Sequence, residues 1–305
     1  MINCDKCNSA AITFIRYSGA HLCEKHFIEF VDRRVKKEIS KQCKLPKKAK
    51  LAVALSGGKD STLALYMIKK IFSKHRDFEI VAITVDEGIS GYRPFSIKAA
   101  KKTCADLGVE HFITSFKEKV GFTLDEIKPK MQELAPCTYC GVFRRFCLNT
   151  LAKEQKVTRL VMGHNLDDMA QSIIMNIFKG DPQKIARLGP HKNIQPGLVP
   201  RLMPLRVIPE KESYLYAMLK GMHICDLECP YAIHAQRGLF RDMLARAEEA
   251  TPGTRHAILN FYDQTVDAIS TKFGPAELNA CEHCGEPTNQ KVCKTCILKN
   301  ELLNR

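Results

Sequence analysis

Seven cysteines and one histidine form two clusters, one near each end of the chain, with the spacing of metal ligands. A Cys-x2-Cys turn lets two thiolates bind one ion, and a second pair completes a tetrahedron around zinc. This pairing favours metal binding over a chance run of buried thiols. We predict two structural zinc sites, since four protein ligands leave no coordination position for chemistry. Their ligands are Cys4, Cys7, Cys23 and His26 in the first site, and Cys281, Cys284, Cys293 and Cys296 in the second.

The segment SGGKDS at 56–61 has the composition of a phosphate-binding loop. It follows an apolar strand and runs into a helical pattern, so the helix N-terminus would offer free N–H groups and positive potential to an anion. Two glycines let the backbone approach a phosphate closely, and Lys59 adds charge. The alternative is an ordinary glycine-containing strand-to-helix turn. The loop is not a Walker A motif, which has four residues between its first glycine and Gly-Lys-Ser/Thr.

Cys137 and Cys140 form a further Cys-x2-Cys pair, and Cys229 precedes a proline far along the chain. From the residues alone, the pair is a redox pair, half of a zinc site or half of an iron–sulfur site. A Cys-Pro sequence is frequent where a cluster ligand ends its turn. The remaining cysteines stand alone, and we expect each to be a small buried hydrophobic residue or an inert surface thiol. They are Cys43, Cys104, Cys147 and Cys225.

Residues 51–235 alternate between apolar strands and helical patterns at about thirty residues per unit, which is typical of right-handed crossovers in a parallel sheet. The predicted strands are 51–55, 80–85, 111–114 and 160–162, and the predicted helices are 24–42, 61–73, 94–107, 240–249 and 254–272. We therefore predict an α/β catalytic domain between two zinc-binding modules. The predicted domains are a zinc finger at 1–30, a basic helix and linker at 31–50, the catalytic domain at 51–235, a helical segment at 236–275 and a zinc ribbon at 276–305.

The chain has 305 residues, with 47 lysines and arginines against 33 acids and a net charge of +14. Such an excess favours a polyanionic partner, because each neutralised phosphate releases a counterion, although a merely basic protein has the same charge. The basic segment 33–50 is either an RNA contact or a solvated helix face. Its 14 cysteines, the lack of a secretory signal and the short apolar runs predict a cytoplasmic protein without a membrane partner.

The SGGKDS segment resembles the pyrophosphate loop (PP-loop) of the ATP pyrophosphatase family, which splits ATP to AMP and pyrophosphate while adenylating a substrate oxygen. The segments TVD at 84–86 and GHNLDD at 163–168 are similar to later signatures of that family, although Asp167 is alternatively a helix N-cap. The resemblance implies a Rossmann-like PP-loop domain that uses ATP and Mg²⁺. The implied ATP-binding residues are Ala54, Ser56, Gly57, Gly58, Lys59, Asp60, Ser61, Thr84, Gly163 and Asp168.

A PP-loop together with PCxxC and a distant Cys-Pro resembles the tRNA 2-thiolation enzymes of the TtcA and TtuA type, and zinc sites at both ends resemble the TtuA-like branch. The segment DEGISGYR at 86–93 is similar to the cytosolic thiouridylase that modifies the wobble uridine. The resemblance implies a [4Fe–4S] cluster on Cys137, Cys140 and Cys229, with one iron lacking a protein ligand. It also implies a homodimer that binds tRNA and a sulfur donor, either sulfide or a ubiquitin-like protein with a C-terminal thiocarboxylate.

The implied reaction replaces the C2 oxygen of uracil, a poor leaving group, with sulfur after ATP has adenylated it. Lys59 and Mg²⁺ would stabilise the departing pyrophosphate. Arg144 and Asp168 would orient the base and assist proton movement, and the family also has lysine at the position of Arg144.

Four alternatives remain at this point. One is modification of uridine 54, and another is a persulfide route through Cys140 and Cys229, which leaves Cys137 without a role. A small-molecule amidating ligase would share the loop but needs neither zinc modules nor a basic excess. A non-enzymatic zinc-ribbon RNA-binding protein would leave SGGKDS unexplained.

Overall fold

The computed structural model describes residues 2–131, 134–190, 195–234, 236–274 and 278–304. Within these ranges the strands are β1 (Thr13–Ile15), β2 (Ala20–Leu22), β3 (Ala49–Ala54), β4 (Phe78–Asp86), β5 (Glu110–Ser115), β6 (Arg159–Val161), β7 (Arg201–Leu202), β8 (Asn279–Ala280) and β9 (Pro287–Thr288). The helices are α1 (Glu24–Gln42), α2 (Lys59–Phe72), α3 (Arg93–Leu107), α4 (Phe116–Val120), α5 (Leu124–Ile127), α6 (Pro136–Glu154), α7 (Leu166–Phe178), α8 (Pro182–Ala186), α9 (Glu210–Leu219), α10 (Arg237–Ala250), α11 (Thr254–Phe273) and α12 (Lys294–Leu303).

The central sheet is parallel, with the strand order β5-β4-β3-β6-β7. The chain adds β4 and β5 on one side of β3, and then crosses to add β6 and β7 on the other side. Open α/β sheets bind ligands outside the carboxyl ends of the strands at the point where this order reverses, here between β3 and β6. The predicted parallel α/β fold is confirmed, and the loops after β3 and β6 lie at this switch point.

The predicted strands and helices are present, and their ends differ from the predicted ends by at most three residues. Several elements of the catalytic domain were not among the predicted ones, and β7 and α6 are two of them. Strand β7 has only two residues, too few for an alternation of apolar and polar side chains. Helix α6 has 19 residues, and its buried Tyr139, Phe143 and Cys147 recur every four positions. That periodicity indicates a helix, so the signal for α6 was present in the sequence.

The sheet separates two apolar layers. Leu51 and Val53 of β3 pack in one layer with α1 and α2, whereas Ala52 packs in the other with Phe143 of α6. This follows from the two-residue period of a strand, which directs successive side chains to opposite faces. Because Cys140 is buried in the α6 layer, the third cysteine set belongs to that face of the sheet.

Both terminal modules pack on this core. Phe27, at the start of α1, belongs to the same buried cluster as β3. Tyr17 in the first module donates to Glu212 of α9 at 2.5 Å, and Arg34 of α1 donates to the same carboxylate at 2.9 Å. At the other end, Leu298 of α12 is fully buried in the α6 layer. The terminal modules are therefore packed parts of the fold.

The predicted domain boundaries stay predictions. Helix α1 continues across the boundary expected at residue 30, so the first module and the basic helix share one element. The boundaries expected at 235 and 275 fall on residues outside those that the structure describes. Among the described helices, none combines the length and the apolar character that a membrane span requires.

Candidate active site

The segment after β3 forms a tight turn into α2. Gly57 has a φ of +91°, and a Cβ at this position would lie 2.0 Å from the carbonyl oxygen of Ser96, so only glycine fits. The hydroxyls of Ser56 and Ser61 hydrogen-bond each other at 3.0 Å, and Ser61 also donates to the Gly58 carbonyl at 3.0 Å. Among the described residues no side chain caps the N-terminus of α2. Its free N–H groups are therefore available to an anion.

Lys59 and Asp60 form the first turn of α2. The Lys59 ammonium donates to Glu210 at 2.7 Å and to Asp60 at 3.0 Å. Burial lowers the pKa of Lys59, but these two carboxylates outweigh it and the net pKa is raised. Burial also raises the pKa of Asp60, although the Lys59 charge opposes the shift. Asp60 Oδ1 is buried and has no hydrogen-bond partner of good geometry within the described part of the chain, so it is open to a ligand, a water or a metal ion.

The loop after β6 lies directly against the phosphate loop. A Cβ on Gly163 would lie 2.9 Å from the Ser61 backbone, so glycine is required for this approach. Asn165 caps α7 by accepting from the Asp168 N–H at 3.0 Å, and Asp168 accepts from the Asn165 N–H at 3.2 Å, which completes a capping box. The other oxygen of Asp168 pairs with Arg237 at 3.0 Å. Arg237 was not among the predicted site residues.

Two predicted positions take part in structural contacts. The N-cap of α7 is Asn165, so the alternative that Asp167 is the cap is wrong; Asp167 instead pairs with Arg255 at 2.9 Å. Thr84 is 1% exposed, and its hydroxyl donates to a backbone carbonyl of the preceding loop, that of Leu55, at 2.6 Å. A nucleotide could therefore contact Thr84 only through its backbone.

The three cysteines of the third set converge on one face of the sheet. Cys137 and Cys140 lie in the first two turns of α6, and Cys229 lies between α9 and α10. Cys137 is exposed, Cys140 is 7% exposed and Cys229 is half-buried. Burial raises the pKa of Cys140 to about 11 and also raises the pKa of Cys137, and the charge of Cys229 adds to both shifts. The Cys137 thiol donates to the carbonyl of Tyr231, two residues after Cys229, at 3.7 Å, so the cysteines of α6 lie close to the segment that carries Cys229.

Glu87 and Arg93, a buried ion pair that was not among the predicted site residues, lie behind these cysteines next to the predicted Arg144. Arg144, one helical turn after Cys140, donates to the Cys140 sulfur at 3.0 Å and to Glu87 at 2.7 Å. Glu87 also pairs with Arg93 at 2.6 Å. Glu87 and Arg93 belong to the DEGISGYR segment. The available signal was an acid directly after a buried strand, followed by an arginine six residues later.

The segment that carries Cys229 is bonded to the phosphate loop. The N–H of Cys225 donates to the Gly57 carbonyl at 2.8 Å. Beyond Cys229, the hydroxyl of Tyr231 donates to Asp125 at 2.7 Å, which attaches the same segment to α5. The segment 225–231 therefore connects the two parts of the site: it is hydrogen-bonded to the phosphate loop and carries Cys229 of the third cysteine set.

Basic side chains without acidic partners line the same region. Within the described residues, Arg145 and Arg201 make no ion pair, and burial and a neighbouring guanidinium lower the pKa of each. Burial lowers the pKa of His164, whose Nδ1 is buried without a hydrogen-bond partner in the described ranges. Concentrated positive charge that the protein does not neutralise suits a phosphate-bearing partner.

The terminal clusters each bring four ligand atoms within 4.8 Å of one another. The sulfurs of Cys7 and Cys23 are 3.7 Å apart, and those of Cys281 and Cys296 are 3.9 Å apart. Tetrahedral zinc with Zn–S bonds of about 2.3 Å places its sulfurs about 3.8 Å apart. Burial raises the pKa of Cys4 and Cys281, but backbone N–H donors outweigh it and lower each pKa to about 6. The two groups are Cys4, Cys7, Cys23 and His26, and Cys281, Cys284, Cys293 and Cys296.

The four isolated cysteines lie apart from these groups. Cys104 and Cys147 are buried in the apolar layers, where burial raises the pKa of each thiol to about 12. Cys43 and Cys225 are half-buried. None of the four belongs to a metal-ligating group among the described residues.

The comparisons with known proteins agree with this geometry. The model of the PP-loop domain family matches residues 30–225, and that of the N-terminal LIM domain of the 2-thiouridine synthetase TtuA matches residues 3–28. The tRNA 2-thiolation protein NcsA of Haloferax volcanii is 38% identical over 97% of this chain and 98% of that protein. The tRNA-5-methyluridine(54) 2-sulfurtransferase of Pyrococcus horikoshii is 31% identical over 97% and 93%, respectively.

A solved structure is similar over almost the whole chain. The U34-tRNA thiolase NcsA from Methanococcus maripaludis, determined with its [4Fe–4S] cluster, superposes with a TM-score of 0.87 at 34% identity, covering 99% of this chain and 97% of that one. The resemblance inferred from SGGKDS, PCxxC and the terminal clusters is confirmed. The chain therefore belongs to the PP-loop family and, within it, to the tRNA 2-thiolation proteins of the TtuA and NcsA type.

Proposed function

We propose that this protein is an ATP-dependent tRNA sulfurtransferase that adenylates the C2 oxygen of wobble uridine 34 and replaces it with sulfur. One observation carries the proposal: the Gly57 carbonyl of the phosphate loop is bonded to the backbone segment that holds Cys229. A nucleotide at the loop would then lie beside the cysteine set. That arrangement suits an adenylated base waiting for sulfur.

The nucleotide loop supplies the adenylation step. The free N–H groups of α2 and the Lys59 ammonium would bind the phosphates of ATP and stabilise the departing pyrophosphate. The Lys59 ammonium has three donors and gives two of them to Asp60 and Glu210, so its third can reach a phosphate oxygen. Mg²⁺ fits the unsatisfied Asp60 Oδ1, because hard cations bind carboxylate oxygens.

The third cysteine set suits a [4Fe–4S] cluster. The three thiols converge, yet among the described residues they do not form a close group around one point as the terminal ligands do. A [4Fe–4S] cluster requires thiolates that are near one another but do not meet at one point, since each thiolate binds a different iron. Cys137, Cys140 and Cys229 would hold the cluster, which supplies an iron able to bind hydrosulfide.

The residues around the cysteines act on the base and on charge. Arg144 reaches the Cys140 sulfur, so it would stabilise negative charge next to the reacting C2 position. Asp168 lies in the first turn of α7, directly after the adjoining loop, and would orient the uracil. Arg145 and Arg201, which lack acidic partners in the described ranges, would contact RNA phosphates.

The choice of uridine 34 over uridine 54 is supported by the similarity along the whole chain. The identity with the NcsA protein is 38%, against 31% with the uridine 54 enzyme, and the solved U34 thiolase covers 99% of the chain. Sulfide or a thiocarboxylate carrier remains the proposed donor, and a homodimer remains the expected assembly. A cytoplasmic location is consistent with 14 cysteines that are free among the described residues.

The terminal clusters are proposed as two structural zinc sites, and metal analysis should find two zinc ions per chain. Cys281→Ser should remove one zinc and lower the melting temperature, because its sulfur also accepts the Cys293 N–H at 3.2 Å. Thiolation per folded molecule should change little, since these ligands lie outside the proposed active site. Zinc content that is unchanged in both Cys4→Ser and Cys281→Ser would contradict the assignment.

A cell-free reaction tests the function. Anaerobically purified protein with ATP, Mg²⁺, sulfide and bulk tRNA should yield 2-thiouridine in tRNA, and AMP should form only when tRNA is present. An amidating ligase would form AMP with a small acceptor and leave the tRNA unchanged. A non-enzymatic RNA-binding protein would bind tRNA without consuming ATP.

A further inference from the structure

Glu87 lies at the centre of a buried ionic chain between the phosphate loop and the third cysteine set. Its side chain is 4% exposed and that of Arg93 is 3% exposed. One carboxylate oxygen of Glu87 lies 2.6 Å from Nε of Arg93, an ion pair without hydrogen-bond alignment, and the other accepts a hydrogen bond from Arg144 at 2.7 Å. Buried charges persist only when they are paired, so Glu87 and Arg93 depend on each other for their place.

The Arg93 end of this chain is fixed to the phosphate loop. Its guanidinium donates to the Ser56 carbonyl at 3.1 Å and to the Ser96 hydroxyl at 2.9 Å, and it also donates to the Val85 carbonyl at the end of β4. The Ser96 carbonyl occupies the space in which a Cβ of Gly57 would lie. The loop cannot shift at Ser56 or Gly57 without displacing Arg93 or the start of α3.

The Arg144 end is directed at a cysteine. Its side chain is 48% exposed, so neighbouring apolar side chains do not enclose it, and its contacts with Glu87 and with the Cys140 sulfur at 3.0 Å fix its direction. Without Glu87, a long and partly exposed arginine would sample many rotamers. Glu87 therefore supplies the contact that holds Arg144 against Cys140.

We propose that Glu87 is a positioning residue which, through Arg93 and Arg144, couples the conformation of the phosphate loop to the side chain that faces Cys140. The inference rests on the proposed function, because it assumes that a nucleotide binds at 56–61. Occupation of the loop would then set the direction of Arg144 before sulfur transfer. Glu87 itself contacts neither the phosphates nor the sulfur, so its effect is indirect.

Hydrogen exchange on the full-length, anaerobically purified protein measures this coupling directly. A non-hydrolysable ATP analogue should slow exchange in the native protein at 56–61 and, by about fivefold or more, at 137–146. In Glu87→Gln the protection at 56–61 should remain, while that at 137–146 should be lost. Glu154→Gln is the matched control: Glu154 is the last residue of α6, it pairs with Lys119 of α4 rather than with the ionic chain, and the variant should retain both effects.

A second variant and a second readout keep the test informative if Glu87→Gln folds poorly. Arg93→Lys retains a charge beside Glu87 but loses the fork that contacts the loop, so it should also confine protection to 56–61. In thiolation rates, the effect of Glu87→Gln should be absent in an Arg144→Ala background, because the first residue acts through the second.

The outcomes separate the coupling from the function on which it rests. Protection that reaches 137–146 equally in Glu87→Gln, or that stays at 56–61 in the native protein, would overturn the coupling alone. Additive effects of Glu87→Gln and Arg144→Ala would also overturn it. A native protein without protection at 56–61 would contradict nucleotide binding at the loop, and the coupling with it.

Discussion

Replacing any one of Cys137, Cys140 or Cys229 with alanine should abolish tRNA thiolation and remove iron from protein purified without oxygen. Three thiolates hold three irons of a cubane, and two thiolates hold it poorly, so cluster and activity should be lost together. The native protein should be brown and contain about four irons and four inorganic sulfides per chain. Iron and sulfide analysis, with thiouridine formation measured on the same preparations, checks this prediction.

The control for this prediction is another cysteine of α6. Cys147, seven residues after Cys140 in α6, is fully buried in the apolar layer that also contains Phe143. Cys147→Ala should therefore keep both iron and thiolation. Under a persulfide mechanism Cys137→Ala would stay active and only Cys140 and Cys229 would be essential. Full activity in an iron-free protein would refute the cluster and leave the phosphate loop unaffected.

Lys59→Ala should lower tRNA-dependent AMP formation on the order of 10²–10³-fold, the effect of removing one charge-stabilising group from a transition state. The reason is that the Lys59 ammonium lies at the N-terminus of α2, where Asp60 and Glu210 hold it. Affinity for tRNA should change little, since this lysine is assigned to the phosphates of ATP. AMP release and tRNA binding, measured on the same variant, separate the two assignments.

Lys69→Ala is the control for this prediction. Lys69 lies in the last turn of α2 and donates to the Gly108 carbonyl at 3.3 Å, far from the loop. The variant should form AMP at the native rate. A large loss of tRNA affinity in Lys59→Ala, with normal AMP formation, would instead assign the loop to the RNA surface.

Much of the fold follows from local patterns in the sequence. The apolar runs of β3 and β4 are buried on both faces, and such runs indicate parallel strands. The terminal ligands are close in sequence, so their grouping was predictable from spacing alone. Gly57 was also predictable as part of a phosphate loop, although its close approach to Ser96 depends on how α3 packs.

The rest of the site depends on long-range packing. Glu87 and Arg144 are separated by 57 positions in the chain and meet only because α6 covers β4. The hydrogen bond between Cys225 and Gly57 joins segments from opposite ends of the catalytic domain. No local periodicity encodes such contacts. The position of Thr84 near the end of β4 was predicted from the sequence. Its hydroxyl, however, donates a hydrogen bond to the Leu55 carbonyl of the neighbouring loop, which no local pattern indicated.

Mass spectrometry of tRNA fragments from cells that lack this protein tests the central claim most directly. Nuclease digestion separates the anticodon fragment, with uridine 34, from the fragment with uridine 54. We expect 2-thiouridine to disappear from position 34, to remain unchanged at position 54, and to return when the native gene, but not the Cys229→Ala gene, is restored. Normal thiolation at position 34 in the deletion strain would contradict the proposed function, and a loss confined to position 54 would contradict the proposed substrate.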